Sequence, residues 1–582
     1  MTTASPALNL SVGLEPPRTS PLRLSAPLPQ EWQRTIVIAL AGVVGLLPIV
    51  IWGIPFGPDL SNHYRFAIEF HDSIRAGKLY PGWLSTSNFG YGDARLRLYP
   101  PGLYYLLSAA RIFTGWYYAT ILTLSLLSVV GGLGVYFWSR SLGQTRNAMW
   151  AGIIYTIAPY HLNQTYRASM LAEYAGCSVL PFAFAFVDRV CRKGKAADTA
   201  GLSLAFALLI LVHLPLTLIG SVSLVVYAAF RINKELFWQT LLKLALAAGT
   251  ALAATAFFWS TILAELPWIK GSTVEPNIYY DYRVNFLFSA SNLNNFGVWY
   301  INLLAFVTVA FLLPALILVK RTLFSKPGDP ALGAVFLLAI ISLLMATEVS
   351  RPVWAVIPKL RDVQFPWRWL GITSMCGSIL LAASLSKWAD RLRSRFRPRD
   401  LVVGFAFALP IFFVTYQIVW DAEYLQGEQF ASKYLHVPGA LSHKEWQPVW
   451  AKDVSHMKKM NSDVEADSRE VTITSWERER RTFKIGSGQG KDARVLTYYY
   501  PLWTATSQGQ ALNIRPTEDG AILITIPPAE ATVELAFRES RRVEIARVIS
   551  GFGWLMIAAL FAFGPGKKSR FRLRSKQSLM NA

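Results

Sequence analysis

Four short stretches of this 582-residue chain hold residues whose types and spacing suit bond-making chemistry. In GPDLSNHYRFAIEF, Asp59 and His63 lie four residues apart, so a helix puts them on one face, with Arg65 nearby. Such a carboxylate can take a proton from a hydroxyl or hold a hard divalent cation, Mg2+ or Mn2+; it also reads as a helix N-cap beside a solvated histidine. In RASMLAEYAG, Glu173 enters an apolar run, where an unpaired carboxylate is expensive and a pair with Arg167 would satisfy it. His213 sits in an apolar hairpin before Leu214-Pro215, as a ligand or as a hydrogen-bonded core histidine. The stretch RDVQFPWR presents Arg361, Gln364 and Arg368; guanidinium binds phosphate bidentately and also snorkels at interfaces.

A long segment between Arg75 and Ala110 surrounds these groups with Tyr, Trp, Gly and Pro, and brings Arg95 and Arg97 close to Tyr99. Aromatic residues at headgroup depth are ordinary membrane anchors, and the same composition suits a lipid phosphate and a sugar. The segment 264–298 adds Glu265, Glu275, Asp281 and Arg283 among tyrosines and asparagines, without specific spacing. Cys177, Cys191 and Cys376 lie in or beside apolar runs at no metal-ligand spacing and read as small buried side chains. There is no Walker A loop, Rossmann glycine fingerprint, H-E-x-x-H or G-x-S-x-G motif.

The elements that must position these residues are membrane spans. The chain is 53% hydrophobic and only 16% charged, against about a quarter charged in soluble proteins. Apolar runs at 35–54, 117–138, 147–160, 171–190, 199–213, 214–230, 238–263, 299–320, 331–349, 368–386, 402–420 and 547–564 predict about 12 spans; 102–114 is too short to cross. The net charge of +21 would suggest nucleic-acid binding in a soluble protein. Here the turns 139–146, 191–198, 231–237, 320–330 and 387–400 and the tail 566–576 hold 22 basic residues against five acidic ones, all on one side of the predicted spans. The positive-inside rule makes that side cytoplasmic, so the charge orients the chain and no nucleic-acid partner is expected.

Every candidate residue then falls on the outer face. The expected organisation is a disordered tail at 1–34, a transmembrane domain at 35–420 with a large first outer loop at 55–116, an extracytoplasmic domain at 421–546, a last transmembrane helix at 547–564 and a basic tail at 565–582. Alternating runs at 471–476, 481–486, 493–500, 521–528 and 531–537 predict a small antiparallel β-sandwich within 421–546.

The order D-x-x-x-H after the first span, then G-K-L-Y-P-x-W, G-Y-G and Y-P-P, resembles bacterial integral-membrane proteins of the GT-C glycosyltransferase superfamily. Within it, the chain resembles YfhO-like proteins and membrane proteins labelled "6-pyruvoyl-tetrahydropterin synthase-related", although nothing in it resembles the soluble pterin enzyme. Further matches are Tyr166-Arg167-Ala168 through Glu173, His213-Leu214-Pro215, Gln364-Phe365-Pro366-Trp367-Arg368-Trp369 and Tyr499-Tyr500-Pro501-Leu502-Trp503. The resemblance implies a GT-C-like fold in the bacterial cytoplasmic membrane. It also implies an inverting transferase that takes a sugar from a polyprenyl-phosphate donor to an acceptor glycan, lipid or protein on the outer face. It makes Asp59 the essential acidic residue, with His63 and Glu173 assisting it or sharing a divalent cation. The arginines at 65, 95, 97, 167, 361 and 368, with Tyr99, His213 and Gln364, become substrate or phosphate contacts. The chain departs from the clearest family pattern in having no paired acid at Asp59. A non-catalytic transporter or assembly scaffold for polyprenyl-linked glycans is the alternative; it predicts repeated halves, and no internal repeat is evident.

The topology is testable directly: alkaline-phosphatase fusions after residues 60 and 450 are expected to be active, and inactivity at both would place the candidate residues on the wrong side.

Overall fold

Pairing of backbone groups within each segment is compulsory in a bilayer, so the apolar runs fold as helices. The computed structural model describes residues 30–272, 280–294, 300–310, 312, 330–394, 398–435, 446–452 and 462–563. Residues 1–29 of the expected first tail, the tail at 565–582, Glu275, the basic turn at 320–329 and most of the second half of the run 299–320 lie outside the described residues. Six described helices are long and apolar enough to cross a membrane: Trp116–Ser141, Leu171–Arg192, Leu214–Arg231, Lys234–Ala254, Pro366–Leu385 and Arg541–Ala562. Shorter apolar helices cover Ala196–Val212, Tyr300–Ala310, Pro330–Met345 and Ala408–Trp420.

Three expected spans are each broken in two. The run 35–54 forms Gln30–Val44 and Leu47–Trp52, and the run 147–160 forms Ala148–Thr156 and a second helix, Pro159–Tyr166. Pro48 and Pro159 sit in the first turn of the second helix in each case, where a missing N–H costs nothing but the preceding helix cannot continue. The run 238–263 forms Phe237–Ala254 and Ala256–Glu265, with the Thr255 hydroxyl donating to the Ala251 carbonyl at the break. The division at His213 is as expected, and Gly102–Phe113 is a 12-residue helix.

Eleven strands occur among the described residues. Strands β1 (Ile54–Pro55) and β2 (Tyr424–Leu425) form a short antiparallel ladder. The others are β3 (Val464–Glu465), β4 (Val471–Trp476), β5 (Arg480–Ile485), β6 (Asp492–Tyr498), β7 (Trp503–Ser507), β8 (Gln510–Leu512), β9 (Ile514–Pro516), β10 (Ala521–Thr525) and β11 (Ala531–Phe537). They make a four-stranded sheet in the order β3-β6-β10-β9 and a five-stranded sheet in the order β4-β5-β11-β7-β8. The alternation in β5, β6 and β11 turns Phe483, Ile485, Val495, Val533 and Leu535 into the core between the sheets. Strands β7 to β9 are absent from the sequence expectation: they are short, and the β7–β8 hairpin turns on Gln508-Gly509, both at positive φ, where Asn-Gly is the familiar signal.

The sandwich shares its core with the stretch between residues 76 and 101. Trp83, Tyr91 and Ala94 are buried in it, and Trp83 meets Trp503 edge-on at 5.4 Å. Gly92 makes this insertion feasible, since it lies at φ +70° and a Cβ there would stand 2.1 Å from Trp83 Nε1. Ion pairs tighten the junction. Fully buried Arg97 binds Glu265 through Nε at 2.7 Å and Nη2 at 2.6 Å, and Glu539 through Nη1 at 2.7 Å and Nη2 at 2.9 Å. Tyr500 donates to the same Glu265 at 2.8 Å. One guanidinium thus joins that stretch, the end of Ala256–Glu265 and the segment between β11 and the last helix.

Removing one member of a buried ion pair costs about 3–5 kcal/mol. Arg97→Met is therefore expected to lower the thermal midpoint sharply, read by tryptophan fluorescence in detergent; an unchanged midpoint would contradict the clamp.

Candidate active site

The helix Leu47–Trp52 ends in a segment pinned on two sides. Strand β1 pairs with β2, the Phe56 amide donates to the Glu423 carbonyl at 2.7 Å, and a Cβ on Gly53 (φ +118°) would stand 2.4 Å from the Leu425 carbonyl oxygen. From this anchor the chain turns at Gly57-Pro58-Asp59 into the helix Leu60–Arg75. Asp59 occupies the N-cap position, yet its side chain does not cap. Its carboxylate makes no hydrogen bond or ion pair among the described residues, although it is half-buried. Burial pushes its pKa up, the Arg368 guanidinium pulls it down and Glu173 pushes it up again.

Glu173 stands in the first turn of Leu171–Lys193 with both oxygens occupied. Oε1 accepts from the Tyr160 hydroxyl at 2.7 Å and from Gln164 Nε2 at 2.8 Å; Oε2 accepts from Arg368 Nε at 2.9 Å. Its partner is Arg368 and not Arg167: Arg167 pairs with Asp421 at 3.2 Å and lies over the Tyr300 ring at 5.1 Å. Arg368 donates further through Nη1 to the Val363 carbonyl at 2.6 Å and lies 4.8 Å from the Phe365 ring centre. Its Nη2 has no hydrogen-bond partner among the described residues. Gln364 makes the turn that presents it, at φ +67°, where non-glycine residues are uncommon.

Three ring side chains complete the group. Tyr99 senses Asp59, Arg368 and Glu173, and burial with the Asp59 charge raises its pKa. His63 shares a hydrogen bond with the Tyr104 hydroxyl at 3.2 Å, its rings contact Tyr99 at 6.3 Å, and burial lowers its pKa to about 4, so it is neutral at physiological pH. His213 caps Leu214–Arg231, its Nδ1 accepting from the Leu216 amide at 3.2 Å, and lies in the electrostatic reach of Arg368 and His63.

The other predicted contacts lie elsewhere. Arg95 is buried against Asp93 and the Ser87 hydroxyl, and Arg97 is fully taken by Glu265 and Glu539. Arg361 is exposed and donates to the Ala355 carbonyl at 2.6 Å. The sequence suggested both as substrate contacts; the fold turns Arg97 to its two carboxylates and Arg95 to Asp93 and Ser87 instead. Among the described residues no group of three His, Cys, Asp or Glu side chains could hold a metal ion. Asp59, His63 and Glu173 therefore do not fit as a cation-binding trio: Glu173 is saturated by donors and His63 is turned to Tyr104. Tyr160 and Gln164, by contrast, are absent from the sequence expectation. The signal was available: Pro159–Tyr166 is polar yet buried on every face, which demands internal partners.

A family model for the 6-pyruvoyl-tetrahydropterin synthase related domain, described as a membrane protein, matches residues 96–425, more than half of the chain. This chain belongs to that family. The family segment contains Tyr99, Glu173, His213 and Arg368; Asp59, His63 and the sandwich fall outside it. Among curated proteins none matches. Among solved structures, the arabinofuranosyltransferase AftD from Mycobacteria is similar at 17% identity and TM-score 0.43, over 68% of this chain and 27% of that one. ArnT from Cupriavidus metallidurans is similar at 15% identity and TM-score 0.43, over 70% and 68%. The Archaeoglobus fulgidus oligosaccharyltransferase is similar at 15% identity and TM-score 0.36, over 72% and 61%. The chain thus spans about a quarter of AftD, and at these scores the structures assign the family member no reaction or substrate.

Asp59 protonation can be followed by mass spectrometry of carbodiimide labelling, which needs the protonated acid. The midpoint is expected above the usual aspartate value of about 3.9. Glu173→Gln removes a negative neighbour and should move it down; Arg368→Gln removes a positive one and should move it up. A midpoint indifferent to both would separate Asp59 from the pair.

Proposed function

We propose that this protein is a membrane glycosyltransferase that moves a sugar from a polyprenyl-phosphate donor to an acceptor hydroxyl on the outer face of the bacterial cytoplasmic membrane. The observation that carries the reading is Asp59: a half-buried carboxylate without a protein partner among the described residues, beside a Glu173–Arg368 pair whose own charges are balanced. A group left unpaired where its neighbours are all paired is available to a substrate. The GT-C resemblance of the motifs around Asp59, Glu173 and Arg368 supplies the reaction class.

In this reading Asp59 takes the proton of the acceptor hydroxyl, and that oxygen attacks the anomeric carbon. The bond from that carbon to the phosphate oxygen breaks, its electron pair leaves with polyprenyl phosphate, and attack from the opposite face inverts the configuration. The free Nη2 of Arg368 faces the departing phosphate, while Glu173, Tyr160 and Gln164 fix the guanidinium plane. Tyr99, His63 and His213 line the sugar, and Gln364 sets the turn. Arg167 and Arg361 serve the scaffold. The sandwich presents the acceptor glycan, lipid or protein. No step is routed through a divalent cation.

The test is transfer from radiolabelled polyprenyl-phosphate sugars by purified protein. Asp59→Asn is expected to lower the rate by about 10²–10⁴-fold, the usual worth of a positioned general base. Transfer unaffected by the substitution would remove Asp59 from the chemistry.

A further inference from the structure

The outward part of the helix Leu60–Arg75 is crowded with charge, and most of it is already matched. Glu69 accepts from the amides of Ser85 at 3.2 Å and Thr86 at 2.8 Å and pairs with Arg478 at 3.3 Å. Arg95 and Asp93 neutralise each other at 2.9 Å. Arg65 is different. It is half-buried, yet among the described residues it makes no hydrogen bond and no ion pair. The charges it senses are Asp93, already matched by Arg95, and Arg95 itself, which with burial lowers its pKa. Asn62, also half-buried, has no hydrogen bond among the described residues either.

Asp59, Asn62 and Arg65 follow one another at i, i+3 and i+6, along one ridge of the helix. Six residues advance the backbone about 9 Å and turn it about 120° from the starting direction, so Arg65 stands farther along the helix than Asp59 and on an adjoining face. The direction is informative. Asp59 adjoins the end of the first span, whereas the neighbours of Arg65 belong to the loop whose Tyr91 carbonyl accepts from the Tyr498 amide of β6 at 2.8 Å. Arg65 thus lies on the sandwich side of the site, while a lipid-borne donor approaches from the span side.

We propose that Asn62 and Arg65 form an acceptor subsite for an anionic group, so that the acceptor is an acidic glycan whose carboxylate or phosphate lies farther along the helix than the hydroxyl deprotonated at Asp59. A neutral glycan would leave the half-buried Arg65 uncompensated, whereas a carboxylate or phosphate meets its guanidinium with charge-assisted hydrogen bonds. The word acceptor rests on the glycosyltransferase reading; the anion site does not.

Binding and transfer separate the two. Full-length protein in nanodiscs is titrated calorimetrically with methyl glucuronide, methyl glucoside 6-phosphate and neutral methyl glucoside, and the donor KM is measured in parallel. The expected result is at least tenfold tighter binding of one anionic probe over the neutral one. Arg65→Gln should abolish the preference, Arg65→Lys should keep part of it, and Asp59→Asn should keep all of it while losing transfer. A preference absent from the wild type, or undiminished in Arg65→Gln, overturns the subsite. A raised donor KM in Arg65→Gln with the preference intact assigns Arg65 to the donor phosphate and overturns the acceptor assignment. Anion binding lost with Arg65 in a protein that transfers no sugar sustains the anion site and refutes the transferase reading.

Discussion

A buried charge has to be matched, and the pairing of Arg368 with Glu173 shows how this chain meets that constraint at the candidate site. Both groups are buried. Alone, either would be strongly disfavoured there; together, with Tyr160, Gln164 and the Val363 carbonyl completing their valences, they form a neutral, oriented unit. The geometry of the surrounding helices follows from it: the buried polar turn at 159–166 exists to reach Glu173, and the left-handed residue Gln364 exists to aim Arg368. Arg97 with Glu265 and Glu539, Arg95 with Asp93, and Glu69 with Arg478 repeat the solution farther out. Beside these pairs, Asp59 and Arg65 are half-buried groups of one helical segment with no hydrogen bond or ion pair among the described residues.

Much of this was legible in the sequence, because a bilayer makes hydropathy and loop charge unusually informative. Counting basic residues in turns grouped Asp59, Glu173, His213 and Arg368 as an expectation, and in the folded chain Arg368 pairs with Glu173 and lies within electrostatic reach of Asp59 and His213. What failed was the matching of partners. Glu173 lies near Arg167 in sequence but is joined to Arg368, 195 residues away, and spacing along a chain cannot reveal such a contact. For the same reason Arg95 and Arg97 read as phosphate ligands: their carboxylate partners are side chains whose proximity only the folded chain creates. Broken spans escaped notice because hydropathy averages over Pro48 and Pro159.

The sandwich is misread when treated as a separate appendage. Its core holds Trp83 and Tyr91 of the stretch between residues 76 and 101, so stretch and sandwich are one packing unit joined to the helices through Arg97. Tyr99, two residues beyond Arg97, is therefore held from both sides, by the clamp and by the aromatic contacts to His63 and Phe66.

The little ladder between Ile54-Pro55 and Tyr424-Leu425 has a consequence for biogenesis. A ribosome delivers Asp59 to the membrane early, yet the strand that steadies the turn before it is made only after most of the helices have been inserted. Arg97 waits longer still, since Glu539 follows it by 442 residues. Closing such distant contacts is slow, and until then Arg97 lacks one of its two carboxylates. The Asp59 turn is among the first parts of the chain to be made and among the last to be held in place, so a chain interrupted before residue 425 lacks the strand that steadies it.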